Sequence, residues 1–153
     1  MSGPAGPDDS PGFLLWRATL RWQRSIGRAL RPLELTHVQF VLLAAVWWLS
    51  SRTGDEPELP SQREVADHAD VDAMMTSQVL RVLESRGLVT RSADRTDARV
   101  KRLSVSDAGR RLAERAIAVV ERADADFFGH AHDPRRLLEV LRQLADHGLQ
   151  EIP

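Results

Sequence analysis

Cysteine is absent from the 153-residue sequence. That excludes disulfides, thiolate metal sites and thiol-based redox sensing. A long hydrophobic run is missing too: the longest, residues 38–49, is broken by Gln39 and is too short to span a bilayer. Residues 1–12 (MSGPAGPDDSPG) lack the basic and apolar regions of a signal peptide, and their Pro, Gly and Asp content predicts a disordered leader. These absences predict a cytoplasmic protein with no membrane partner. Catalytic equipment is also wanting. No Ser nucleophile stands with a base, no Gly-rich loop could cradle phosphate, and no carboxylate pair sits in a shaped context, so neither an enzyme nor a cofactor is expected. His130-Ala-His132-Asp133 offers imidazole and carboxylate, but it spans a loop-to-helix junction where Asp133 serves as a cap, and no metal is expected there. There are no internal repeats, and the length suits one domain with a real core.

An excess of charge is lacking as well, since the net charge is −1. The distribution is uneven, however. Residues 86–115 hold nine basic groups against four acidic, a net of +5, whereas residues 54–72 hold seven acids and one Arg, a net of −6. Local patches rather than net charge steer a polyanion to a site. Lys101 is the one lysine among 21 basic residues, a bias that carries no functional reading.

Helix signals are plentiful. Thr36-x-x-Gln39 and Ser61-x-x-Glu64 fit the capping box, Asp72 can cap a following helix, and Asp133-Pro134 supplies a cap with proline at the first helical position. Ser106-Asp107 gives a further start. Breaks fall at Arg31-Pro32, residues 53–60, Gly87 and Gly129. Six helices are predicted: residues 13–30, 36–51, 61–69, 72–86, 106–128 and 133–147. The second is apolar nearly all round and should be central and buried. Strand-like pieces at 88–91 and 100–105 flank a polar tip, with Leu103 and Val105 on one face and Arg102 and Ser104 on the other. The fold class is mainly α with a small β-hairpin, and residues 61–109 resemble a winged helix-turn-helix.

Within residues 72–86 two stripes separate. Thr76, Val79, Leu80 and Leu83 recur at helical spacing and should face the core. Met74, Ser77, Gln78 and Arg81 repeat the spacing on another face and can enter a major groove about 12 Å wide. Gln matches the edge of adenine, Arg that of guanine, and Met can touch a thymine methyl. At the hairpin tip, Asp94, Arg95, Asp97 and Arg99 mix both signs of charge. An Arg there can enter a narrow minor groove, and Asp97 could hold the Arg99 guanidinium by a bidentate pair. Arg91, Lys101 and Arg102 add basic density nearby.

Leu35-Thr36 with Gln39 and Leu42, then Glu64-Val65-Ala66, then Val79 through Leu83-Glu84 and Arg86-Gly87-Leu88-Val89 with Arg91, follow one another in a fixed order. Asp97-x-Arg99 and Leu103-x-Val105-Ser106-x-x-Gly109 complete the series. This pattern resembles the MarR family of bacterial transcription regulators. The resemblance implies a single domain over 13–153, with 35–109 as the DNA-binding lobe and 13–34 and 110–153 as helices that join two subunits. It implies a homodimer on a palindromic operator, and the apolar residues of the terminal helices exceed what a lone small domain could cover. The DNA-contacting set would be Ser61, at a helix N-terminus suited to phosphate, with Met74, Ser77, Gln78, Arg81, Arg91, Arg95, Asp97, Arg99 and Lys101. Departures are Ser106 where Thr is commoner, Ala98 where another Arg is frequent, and Met74-Met75 where small hydroxyl residues are usual; the last bears on base preference. Family members respond to small aromatic or anionic molecules. For such an effector Trp16, Trp22, Trp47 and Trp48 could form walls, and Arg17, Arg21 and His37 could supply charge, with Trp16, Arg17, Arg21, His37 and Trp47 as the nominated set. Core and dimer packing is the competing role for these tryptophans. A winged-helix module that binds protein instead of DNA is the alternative function.

Overall fold

The computed structural model describes residues 6–52 and 58–147. The first five residues of the expected leader, most of the expected break at 53–60 and the last six residues lie outside that range. The elements run α1 (Pro11–Leu30), α2 (His37–Ser50), α3 (Gln62–Ala69), α4 (Ala73–Ser85), β1 (Val89–Ala93), β2 (Lys101–Val105), α5 (Asp107–Phe128) and α6 (Pro134–His147). Each start has a local cause. Thr36 and Ser61 complete reciprocal capping boxes with Gln39 and Glu64, and Asp72 and Ser106 accept from the backbone N–H of Met75 and Gly109. The expected leader is corrected in part: Pro7–Asp9 form a 3-10 turn, and Ser10 caps α1 two residues ahead of the predicted start, with Pro11 at its first position.

The core gathers around α2, which packs on α3, α4, α5 and β2. Leu42, Leu43 and Val46 are fully buried there, against Ile26 and Leu30 of α1, Leu80 and Leu83 of α4, and Leu103 of β2. Central burial of α2 was expected, but it is not complete, because Trp48 at its C-terminal end is 67% exposed. The antiparallel hairpin pairs Val89 with Val105 and Arg91 with Leu103. An isolated bridge from Ser61 to Arg102 lays the chain before α3 along its outer edge. Among the described residues, no single helix is long and apolar enough to cross a membrane.

Two glycines set the wing's departure from α4. Gly87 has φ 71°, and around it the N–H of Gly87 bonds the Glu84 carbonyl while that of Leu88 bonds the Leu83 carbonyl. This left-handed stop closes α4 and is strained for any other residue. Gly109, in the first turn of α5, lies directly against the Leu88 backbone, where an added Cβ would collide with the Leu88 carbonyl. Gly109→Ala is expected to cost about 1–3 kcal/mol by overpacking, read as a lowered urea midpoint with unchanged slope.

The terminal helices are only partly covered. Helix α6 buries none of its residues, although Leu137, Leu138, Val140, Leu141 and Leu144 give it one apolar face. At the start of α1, Phe13, Leu14, Leu15 and Trp16 are all exposed.

Candidate nucleic-acid interface

Helix α4 presents the two stripes at the expected positions. Thr76, Val79, Leu80 and Leu83 are buried, while Met74, Gln78 and Arg81 are exposed and Ser77 is half-buried. The short turn Asp70–Asp72 sets this helix against α3. Asp70 is left-handed at φ 52°, and its N–H and that of Val71 return to the carbonyls of Asp67 and Ala66. Between α3, α4 and the hairpin runs an open cleft bordered by Ser61, Asp67, Ser77, Arg91, Arg99 and Lys101. Recognition-helix and wing residues therefore converge on one concave surface. Met74, Gln78, Arg81 and Arg95 do not border that cleft. The first three continue the α4 face beyond it, and Arg95 lies on the hairpin's other flank beside Glu58 and Asp94.

The wing tip is built around Asp94. Its Oδ2 accepts from the Thr96 N–H at 3.1 Å, the Thr96 hydroxyl at 2.8 Å and the Asp97 N–H at 3.1 Å. Its Oδ1 accepts from Arg102 Nε at 2.9 Å. Asp97 in turn holds Arg99 bidentately, with Nε donating to Oδ1 at 3.0 Å and Nη2 to Oδ2 at 3.1 Å. That is the pairing expected from the spacing. The Arg99 side chain stays 90% exposed, so its remaining donor edge faces solvent while the bidentate pair favours one orientation of the fork.

These bonds shift the carboxylates' protonation. The Thr96 hydroxyl first, then the Arg102 guanidinium and the backbone N–H groups of Thr96 and Asp97, hold the Asp94 carboxyl well below its ordinary value of 3.8. Asp97 is lowered too, chiefly by Arg99. A depressed carboxyl contributes stability that is complete above the unfolded value and is lost as pH falls below it. Wing chemical shifts are thus expected to be constant from about pH 8 to pH 5 and to change only below about pH 4, as followed by NMR of the Thr96 and Asp97 amides.

Two arginines depart from the sequence reading of one basic surface. Arg91, expected among the DNA contacts, points inward beside Leu103; its Nε lies 3.4 Å from Glu84 of α4, and Nε and Nη2 are shut off from solvent with no hydrogen bond among the described residues. Arg102, counted as basic density, lies among Glu58, Glu64 and Asp94 at 2.9, 3.5 and 2.9 Å, and its Nη1 also donates to the Leu59 carbonyl at 3.1 Å. Ser61 is the cap of α3, its N–H already donating to Glu64 Oε2 at 2.7 Å. Sequence spacing could flag Glu64 as a capping partner, but nothing local linked it to Arg102.

The nominated effector residues are spread out. His37 lines a shallow basic cleft with Arg24, Arg28 and Arg31, and Trp47 lines a separate, mostly apolar cavity of about 700 Å³ with Trp48, His68 and Ile117. Neither is bordered by Trp16, Arg17 or Arg21. Trp16 is 63% exposed, and Arg17 pairs with Asp8 and lies over the Phe13 ring. Trp22 instead meets His37 edge-on with ring centres 5.0 Å apart, and its indole N–H donates to Asp124 Oδ1 at 2.8 Å. Burial lowers the His37 pKa, partly opposed by Asp124. Asp124 was not singled out in the sequence, since its partners come from helices far away in the chain.

Comparison with known proteins accords with this geometry. The ArnR1-like winged-helix domain matches residues 32–121. The HTH-type transcriptional regulator YdcH of Bacillus subtilis is 38% identical over 143 residues, covering 94% of this chain and 95% of its own. The MarR family protein Rv2887 of Mycobacterium tuberculosis, solved in complex with salicylic acid, is 35% identical with a TM-score of 0.65, covering 94% of this chain and 100% of its own. This chain belongs to the MarR family. Like those relatives, this MarR protein is a transcriptional regulator of the helix-turn-helix type and not an enzyme. A further structural neighbour is the transcriptional repressor CouR of Rhodococcus jostii, solved bound to a 23-mer DNA duplex. It is 25% identical with a TM-score of 0.76, covering 95% of this chain and 98% of its own.

Proposed function

We propose that this MarR protein represses transcription as a homodimer on a palindromic operator, and that a small aromatic or anionic effector releases it. The observation that carries the reading is the shared concave face of α4 and the wing, where Ser77, Arg99 and Lys101 meet. Met74, Ser77, Gln78 and Arg81 read bases in the major groove, Arg95 and Arg99 approach the flanking minor groove with Asp97 as brace, and Lys101 and the α3 terminus at Ser61 meet phosphate. Arg91, nominated with them from the sequence, borders the cleft but is turned toward Glu84 and shapes the wall instead of reaching DNA. Two-fold symmetry would set recognition helices about 34 Å apart, one duplex turn. The uncovered apolar faces of α1 and α6 support pairing with a second copy.

An aromatic acid could rest on the indole of Trp47 or meet the basic cleft at His37; Trp16, Arg17 and Arg21 border neither place within one subunit. Binding there would shift the spacing of the two lobes. Salicylic acid on Rv2887 and a DNA duplex on CouR support both halves of the proposal by analogy. The test is a mobility shift with the intergenic DNA beside its own gene at several salt concentrations. Tight binding with a steep salt dependence is expected, and an affinity unchanged across a panel of aromatic acids would remove the effector.

A further inference from the structure

We infer that Arg102 is a positioning residue that locks the wing to helix α3 and aims Arg99, and that it is not itself a phosphate contact; this rests on the reading of Arg99 as a DNA contact. Arg102 Nε holds Asp94, Nη2 holds Glu58, and Nη1 lies between Glu64 and the Leu59 carbonyl. Every nitrogen of the guanidinium is therefore engaged with the protein, and its side chain is only 20% exposed. Three carboxylates around one cation leave the node with a net charge of −2, an environment that repels phosphate.

The node joins two structures that position DNA contacts. Glu64 Oε2, which Arg102 touches, also accepts the Ser61 N–H in the α3 capping box. Asp94, on the other side, organises the tip through its second oxygen, and the Asp97 N–H it holds belongs to the residue that clamps Arg99. A continuous path of polar contacts, the longest of them the 3.5 Å from Arg102 to Glu64, thus runs from the α3 cap through Arg102, Asp94 and Asp97 to the Arg99 guanidinium. The backbone reinforces it where Ser61 bridges Arg102 and the Leu103 N–H donates to the Pro60 carbonyl at 2.9 Å. A two-stranded hairpin alone is marginally stable in water, so these side-chain anchors decide where its tip points.

The test is a double-mutant cycle on operator affinity with Arg99→Ala and Arg102→Ala, together with Asp94→Asn. Asparagine can keep the turn's hydrogen bonds while losing the ion pair with Arg102. Arg102→Ala is expected to weaken binding about tenfold, yet to add little once Arg99 is already alanine, since its effect passes through Arg99. Asp94→Asn is expected to weaken binding as well, although removing a negative charge near DNA would otherwise tighten it. Thermal unfolding accompanies both variants, so that a loss of affinity is scored at matched folded fraction. Losses that add in the cycle, or an Asp94→Asn protein that binds as well as or better than wild type, overturn the inference. Either result leaves the Arg99 contact intact, whereas an Arg99→Ala protein with wild-type affinity would remove the contact on which the inference rests.

Discussion

Arg99→Ala is expected to weaken operator binding about 10- to 150-fold, the range set by roughly 1.5–3 kcal/mol for hydrogen bonds to a charged partner. The guanidinium stands 90% exposed on a tip whose geometry is already set by its bidentate bond to Asp97. Little ordering entropy therefore remains to oppose its contact with DNA. The plot of log affinity against log salt should flatten by about one unit, as expected for one lost phosphate-region contact. Arg99→Lys should recover only part of the loss, because an ammonium cannot reproduce the planar fork that Asp97 orients. Fluorescence anisotropy on a labelled operator at three salt concentrations reads all three effects. Unchanged affinity would place the wing outside the DNA interface.

A still larger effect is expected from Leu141→Asp combined with Leu144→Asp. Both residues lie on the apolar face of α6, and no residue of that helix is buried. In the proposed homodimer this face is covered, each leucine contributing about 1.5–3 kcal/mol. Replacing it with a carboxylate removes that term and adds a desolvation cost of several kcal/mol per buried charge. Sedimentation should show a shift from dimer to monomer at micromolar concentration. Operator affinity should fall by about 100-fold or more, because the second half-site is no longer tethered to the first. The lobe itself should stay folded, since its core around Leu42, Leu43, Leu80 and Leu103 does not include α6. A double variant that still sediments as the wild type does would show that α6 has another purpose.

Much of the lobe was readable from local pattern. The helix starts at Thr36, Ser61, Asp72 and Ser106 follow from side chains that bond backbone groups within three residues. Both stripes of α4 follow from a period that any helix imposes. The Asp97–Arg99 pair spans two residues, and it too was legible. Arg102 was not, because its partners at Glu64 and the Leu59 carbonyl lie 38 and 43 residues away. The start of α1 at Pro11 is not legible in the sequence, because the Pro, Gly and Asp content of residues 1–12 outweighs a single Ser10-Pro11 cap. The residues nominated for an effector on α1 and α2 share apolar and basic character, but their separation in space depends on helix packing that periodicity does not encode.

By itself, then, the sequence determined the element types, the caps of α2 to α5, the face of α4 that turns outward and the brace on Arg99, since each depends on groups a turn or less apart. Only the tertiary structure decided which arginines of the basic stretch remain available. Arg99 lines the cleft with its side chain exposed, whereas Arg91, at the same border, is held by Glu84, and Arg102 by three carboxylates. It also decided that α6 and the start of α1 keep their apolar faces uncovered. The physical reason is common to both. Ion pairing and burial depend on distances between segments far apart in the chain, and those distances exist only once the helices have packed.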